Sequence, residues 1–485
     1  MTTIIDAMTD SEIGFGRWFG GSSWDAWRVI LKAAYALPMT DGELATFREL
    51  AGGRDPPARR VRQLWIVAGR RAGKDSIASL LAVFAACIEE LHVGRLRPGE
   101  LASVLCLACD REQAAIVLNY IRAFFDEIPD LRALVVRETR WGFELMSGVI
   151  LTVATNSFRQ TRGRTVSLAI FDECAFWRSE ESVNPDIETY RALLPSLATL
   201  PGAMLVGISS PYRKSGLLYD RWKGCFGKED DDTLIVQASS LTLNSTLDMS
   251  NVEAALEDDP EAARSEWLGE WRSDLASFID IAMIEACTDR GVTVRAPRQG
   301  MRYVAFADAA SGAGQDSFVV AIGHSEGKEI VVDLVHEIRP PFSPSAAIGE
   351  VSRLLKEYNI AVVSGDKYAP GFVTEGFAQN GIKYTGAERD RSQIYVQALP
   401  LLTSGRARLI DNRRLGMQFA GLERRTSPGG RDAINHAANG HDDVCNAVAG
   451  VLSEIALRPR AMQISDEVMA WAARPAPRHR YYVGY

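Results

Sequence analysis

Residues 68–76, "AGRRAGKDS", lie between the apolar run "LWIVAG" and "DSIASLLAVFAACIEEL", which is apolar nearly all round. Glycines let a backbone wrap an anion, a lysine reaches terminal phosphates, and the N–H groups opening a helix point at the ligand. Gly69, Arg70, Arg71, Ala72, Gly73 and Lys74 supply those parts in that order. Measured against G-x-x-x-x-G-K-[ST], Ala68 replaces the first glycine and Asp75 the hydroxyl residue, with Ser76 one step later. Asp75 can take the Mg²⁺ contact usually made by the hydroxyl, because the ion favours oxygen ligands. Alternatively, Asp75 caps the helix and Ser76 serves the metal. The bland reading is a basic turn with no ligand.

A second group weakens the bland reading. "SLAIFDECAFW" places Asp172 and Glu173 just past another apolar run. In strand-based ATPases an acid there holds Mg²⁺, and the next orients and activates the attacking water. Alone, the pair reads better as helix caps; downstream of a phosphate loop, with strands between, it reads as catalytic. "LVGISSPYR" ends a further strand with Ser209 and Ser210, either a simple turn or a sensor of the terminal phosphate.

Separated acids form a third group. Asp308 ends "VAFADAA", Asp366 ends "AVVSGD", and Asp442 with Asp443 opens the small-residue helix "GHDDVCNAVAGVL". Acids at two strand ends and one helix can converge on a pair of divalent ions, which activate water and stabilise a phosphodiester's leaving oxygen. Singly, each is where Asp commonly sits as a cap or turn residue. Asp442 and Asp443 diverge by about 100° around a helix, so both cannot face one site. Asp443, one turn before Ala447, is preferred; His441 can orient it or simply be solvated.

These residues need elements to hold them. From residue 64 to about 240, "LWIVAG", "SVLCLACD", "VILTVAT", "SLAIFDE", "AMLVGISS" and "TLIVQAS" alternate with helical patterns. Their two-sided hydrophobicity predicts a central, mostly parallel sheet covered by helices. After a stretch of turn formers, "RYVAFADAA", "SFVVAIGH" and "EIVVDLVHEI" predict an antiparallel meander, followed by the helix "AAIGEVSRLLKEYN" and the strand "AVVSGD". The order strand-acid, hairpin, helix, strand-acid, helix-acid is the layout of a ribonuclease-H-like nuclease. The expected fold is therefore α/β: an N-terminal P-loop ATPase with a mostly parallel sheet, then a ribonuclease-H-like mixed-sheet nuclease domain. Expected boundaries are an arm or lid over 1–55, the ATPase domain over 56–275 with a helical lid from 215, a linker over 276–300, the nuclease domain over 301–457, and a basic, mobile tail over 458–485.

Bulk properties narrow the classes. The 485 residues are 47% hydrophobic and 24% charged, as in globular proteins, and too many for one ordinary domain. No apolar run is long enough to span a bilayer, and no signal peptide opens the chain, so no membrane is expected. Seven cysteines in apolar segments read as buried thiols, the Cys106–Cys109 pair included. A net charge of −8 argues against a generally basic nucleic-acid binder but leaves room for a local basic groove.

The ATPase and nuclease groups in this order resemble the large terminase subunit of tailed bacteriophages, a motor-nuclease that pumps genomic DNA into a procapsid and cuts it. "GRRAGK", "AIFDE", "GISSP", "YDRW", "SEWLGEW" with "SFID", "FADAASG" and "GHDDVCNAVAG" carry the resemblance, over residues 60 to 455. It implies ATP and Mg²⁺ as cofactors, with Mn²⁺ usable by the nuclease. Lys74 would bind β/γ-phosphates, Asp172 Mg²⁺, and Glu173 would be the hydrolytic base. Ser209 and Ser210 would couple hydrolysis to DNA movement, and Arg70 or Arg71 would sense the γ-phosphate. Asp308, Asp366 and Asp443 (or Asp442) would carry the nuclease metals. Two departures stand out: Asp75 for a hydroxyl, and Asn446 where relatives often place an acid. Partners implied are double-stranded DNA, the portal of the procapsid, a small terminase subunit and further copies in a ring, in the cytoplasm of an infected bacterium. Arg162 is the candidate trans-acting arginine; it, Arg159, Arg164, Arg137 and Arg140 serve equally as DNA-phosphate contacts or solvated charges. The rivals are a helicase-like repair or defence nuclease, for which a second motor domain is missing, and a non-catalytic ATP-switched assembly adaptor.

Overall fold

The computed structural model describes residues 2–11, 14–156, 163–177, 182, 184–366, 371–426, 432–437 and 440–458. The chain forms two compact units, Met1–Ile281 with Arg413–Asp442, and Ala282–Asn412 with Asp443–Tyr485.

The first unit is built on an eight-stranded sheet: β1 (Gln63–Ala68), β2 (Ala102–Ala108), β3 (Val135–Thr139), β4 (Gly142–Leu145), β5 (Val149–Thr155), β6 (Thr165–Asp172), β7 (Met204–Ser209) and β8 (Thr233–Ala238). Their spatial order is β3-β4-β5-β2-β6-β7-β1-β8. The six strands from β5 to β8 in that order run parallel, and they are the six apolar runs of the sequence. Residues of β2 and β6 are buried along their whole length, the signature of strands covered on both faces. The hairpin β3–β4 adds an antiparallel edge at "VRETRWGFEL". Its outer strand is largely exposed, so no apolar pattern announces it.

Residues 4–50 form helices Ile4–Thr9, Gly16–Phe19, Asp25–Ala34 and Asp41–Leu50. Trp27, Ile30, Leu31 and Phe47 lie in the same core as Leu64, Ile66 and the helix Lys74–Cys87. Capping boxes start two of these helices: Thr3 with Asp6, and Thr40 with Glu43. The segment read as an arm is thus a packed part of the first unit.

After β9 (Leu275–Ser277) come the helix Ile281–Ala286 and the second unit's mixed sheet. Its strands are β10 (Thr288–Asp289), β11 (Tyr303–Asp308), β12 (Phe318–Glu326), β13 (Glu329–Ile338), β14 (Val362–Gly365), β15 (Lys383–Gly386) and β16 (Ala407–Ile410), ordered β10-β16-β13-β12-β11-β14-β15. The β11–β12–β13 meander is antiparallel as expected, while β14 joins β11 in parallel. The helix Asp443–Leu457 crosses this sheet closely: a Cβ on Gly450 would lie 2.2 Å from the Phe306 ring. Between these pieces the chain returns to the first unit as β17 (Leu422–Thr426) and β18 (Asp432–His436), a hairpin that pairs antiparallel with β9. The segment expected to be a linker therefore contributes β9 to one unit and β10 to the other. Strands of three and two residues carry too little periodicity to be seen in sequence.

Candidate functional site

In the first unit, the loop after β1 turns through Arg71 at φ 60° and Gly73 at φ 87° before the helix Lys74–Cys87 begins. Only glycine takes the second position without strain, and a Cβ there would lie 2.9 Å from the Trp24 indole. Side chains that the sequence reading did not single out hold the loop. Trp27 Nε1 donates to Ala72 O at 2.8 Å, Ser240 Oγ to Arg70 O at 2.6 Å, and Asn244 Nδ2 to Arg71 O at 2.9 Å. Arg70 N donates to Glu266 O, and its guanidinium lies 3.3 Å from the Glu266 carboxylate. No local motif marks these partners, because they come from three separate segments.

The strand order brings the chemistry together. β7 lies between β1 and β6, so the loop, Asp172–Glu173 and Ser209–Ser210 all stand at the carboxyl edge of neighbouring parallel strands. Lys74 is buried, with Nζ 3.1 Å from Gly69 O, 2.9 Å from Ser210 Oγ and 3.2 Å from Glu173 Oε1. Glu173 has left-handed backbone at φ 46°, an uncommon conformation for a residue with a side chain. Its Oε2 accepts from Ser209 Oγ at 3.0 Å and from Ser210 N at 3.1 Å. Asp172 is 1% exposed, and neither carboxylate oxygen has a hydrogen-bond partner among the described residues.

Electrostatics agree with the geometry. Burial first, then the charges of Glu173 and Asp75, pushes the Asp172 carboxyl well above the usual carboxylate range, against the pull of Lys74. Asp75 is also raised, by burial and then Glu173, with Lys74 and Arg71 opposing. Buried carboxylates without donors are the arrangement a cation would satisfy, so these residues fit a divalent ion beside phosphates. Ser76 is half-buried in the same helical turn as Asp75. Arg162 and Arg159 lie outside the described residues. Arg164 is half-buried, Arg137 pairs with Glu144, and the Arg140 guanidinium sits 5.5 Å from the Trp141 ring centre.

In the second unit, β11 and β14 are in parallel register, with Phe306 opposite Ser364 and Ala307 opposite Gly365. Asp308 and Asp366 therefore follow as neighbours at the same sheet edge. Tyr384 Oη on β15 donates to Asp366 O at 3.0 Å. Burial, then the charges of Asp366 and Asp308, raises the Tyr384 hydroxyl far above its ordinary range. Arg391 lies 3.7 Å from the Asp366 carboxylate.

The helix Asp443–Leu457 brings the remaining groups. Asp443 is buried and accepts from Ser317 N at 2.9 Å. One turn on, Asn446 Nδ2 donates to Asp308 Oδ2 at 2.8 Å, while its buried Oδ1 has no partner among the described residues. Asp316 offers a carboxylate oxygen within 4.8 Å of one from Asp443. Sequence reasoning passed over Asp316 because "GAGQDS" is a glycine-rich loop with neither strand end nor helix start to mark it. Asp442 is buried and is the last residue of the first unit. Asp308 and Asp366 stand at neighbouring strand ends, and Asn446 ties Asp308 to the helix that Asp443 opens; oxygen donors of this kind suit hard cations.

No helix among the described residues is long and apolar enough to cross a membrane. No family model matches the chain, and no curated protein matches it. Among solved structures it is similar to the large terminase of bacteriophage HK97, with 16% identity and a TM-score of 0.37 over 88% of this chain and 99% of that one. It is also similar to the large terminase of the thermophilic bacteriophage D6E in complex with ADP, with 12% identity and a TM-score of 0.37 over 90% and 99%. The large terminase nuclease of the thermophilic phage G20c is similar over 37% of this chain and 98% of its own, with 17% identity and a TM-score of 0.32. At these identities and TM-scores the likeness carries nothing about activity.

Proposed function

We propose that the chain is a bacteriophage genome-packaging motor. The first unit hydrolyses ATP to move double-stranded DNA into a procapsid, and the second cuts concatemeric DNA with a pair of metal ions. One observation carries the reading: the buried Asp172 carboxylate, without a partner among the described residues, beside the Lys74–Glu173 pair and a loop turned for phosphates. Divalent cations, when bound by Asp172 with Asp75 or Ser76, and by Asp308, Asp366 and Asp443, supply positive charge to phosphate oxygens and lower the pKa of attached water.

The chain's own residues do the rest. Lys74 exchanges its contacts with Gly69 O and Glu173 for the β/γ-phosphates, which frees Glu173 to take a proton from the attacking water. Arg70 or Arg71 reads the γ-phosphate. Because Ser209 and Ser210 hold Glu173, release of the phosphate changes the loop that follows them. Ser265 Oγ donates to Pro211 O at 2.6 Å, and the neighbouring Glu266 O accepts from Arg70 N. The helix Pro260–Leu268 thus touches both loops, and its shift is the stroke that drags DNA by its phosphates without regard to sequence. The portal, a small terminase subunit and other copies in a ring are the partners this work requires, with Arg162 as the trans-acting arginine.

The test is DNA-stimulated ATP hydrolysis alongside plasmid cleavage. Lys74→Ala and Glu173→Ala should each reduce hydrolysis at least about a hundredfold while cleavage remains measurable. Asp308→Ala and Asp366→Ala should remove metal-dependent cleavage and leave hydrolysis intact. A Glu173→Ala chain that hydrolyses ATP at the parental rate refutes the assignment of the base.

A further inference from the structure

Charge at the nucleotide site does not balance among the described residues. Lys74 spends its one positive charge on Glu173, 3.2 Å away, and its remaining hydrogen bonds on Gly69 O and Ser210 Oγ. Asp172, 1% exposed, is left with neither carboxylate oxygen partnered among the described residues. Asp75, half-buried in the first turn of the helix Lys74–Cys87, has no hydrogen bond or ion pair to its carboxylate among the described residues. Lys74 and Glu173 meet at 3.2 Å, so Asp75, next to the one, and Asp172, next to the other, belong to the same site. Arg71, whose charge also reaches Asp75, is exposed to solvent and so screened. Among the described residues two uncompensated carboxylates remain, and together they match one divalent ion.

We propose that Asp75 and Asp172 form a divalent-cation site that fills before any nucleotide arrives. The inference rests on the ATP site proposed above and adds the order of loading. Where a phosphate loop carries a neutral hydroxyl, the cation depends on the nucleotide's own β- and γ-oxygens and travels with them. Here a carboxylate takes that place, in the same site as a second one that is buried without donors among the described residues. The class of ion is set by the donors: oxygen only and few in number. That suits Mg²⁺ or Mn²⁺, which keep several waters and surrender them to phosphate oxygens. A preloaded ion also removes the repulsion that Asp75 would otherwise exert on an incoming triphosphate.

The experiment is a Mn²⁺ titration of the full chain without nucleotide, followed by the electron paramagnetic resonance signal of the free ion. Asp308→Asn, Asp366→Asn and Asp443→Asn together silence the second acid cluster. One bound ion per chain is expected in that background. Adding Asp75→Asn or Asp172→Asn should weaken its binding about tenfold or more. In an Asp75→Ser chain, Mn²⁺ should bind only together with a non-hydrolysable ATP analogue. The proposal is overturned if the nucleotide-free chain takes up no Mn²⁺, as it would were the acids to share a proton instead, or if Asp75→Asn binds it unchanged. Analogue binding separates the two readings. A chain that binds the analogue with Mn²⁺ but takes no Mn²⁺ alone refutes only the loading order. One that never binds the analogue refutes the ATP site itself.

Discussion

At the scale of single residues, meaning comes from what a side chain faces, and sequence supplies only half of that. The positions of Lys74, Asp172 and Glu173 at a helix start and a strand end are legible, because the apolar runs mark those elements out. Asn446 looked like a lost acid; in the structure its amide bridges to Asp308 and leaves a buried oxygen without a partner. A carboxylate at 446 would put a second charge beside Asp308, which a metal-free chain must tolerate and a metal-loaded one can use. Asn446→Asp should therefore lower the melting temperature without metal and raise it with Mn²⁺, with Mn²⁺ affinity up about tenfold. Differential scanning calorimetry with and without the ion reads both effects. An unchanged response to Mn²⁺ would place Asn446 outside the ion's reach.

Elements explain why the phosphate loop keeps its shape. The sheet was readable because its parallel strands are apolar along their whole length, and the meander because its strands are closely spaced. The helix Asp25–Ala34 was visible as an apolar face in "WDAWRVIL", but not what that face meets. It meets the loop: Trp27 Nε1 ends on Ala72 O in a fully buried contact. Phenylalanine fills most of the same space without the donor, stranding a buried carbonyl at a cost of about 1–2 kcal/mol. Trp27→Phe should lower the melting temperature modestly and weaken binding of an ATP analogue several-fold, while metal-dependent plasmid cleavage stays at the parental rate. Loss of cleavage as well would mean that the substitution unfolds more than the loop.

The molecule as a whole is threaded in a way that no local pattern shows. The chain leaves the first unit after Ile281, returns at Arg413 for the hairpin β17–β18, and leaves again after Asp442. "LERRT" and "DAINH" carry too many polar residues to read as strands, because part of what they bury is charge. Glu423 is 6% exposed, accepts from Tyr212 Oη at 2.6 Å and lies 3.6 Å from Arg213 Nη1. Arg425 reaches Asp259 at 2.6 Å and Asp274 at 3.1 Å. Only Pro211 separates Tyr212 and Arg213 from Ser209–Ser210, so the late hairpin completes the loop that anchors Glu173. A fragment ending at residue 281 keeps every ATPase motif yet loses β9's partner strand and the buried counter-charge of Arg213. Removing one side of a buried ion pair destabilises by about 3–5 kcal/mol, because the other charge is left without compensation. The fragment should melt several degrees below a version with residues 413–442 rejoined through a flexible linker, and protease should cut it first between 210 and 275. If the two melt together, the hairpin is a passenger on the first unit rather than part of its fold.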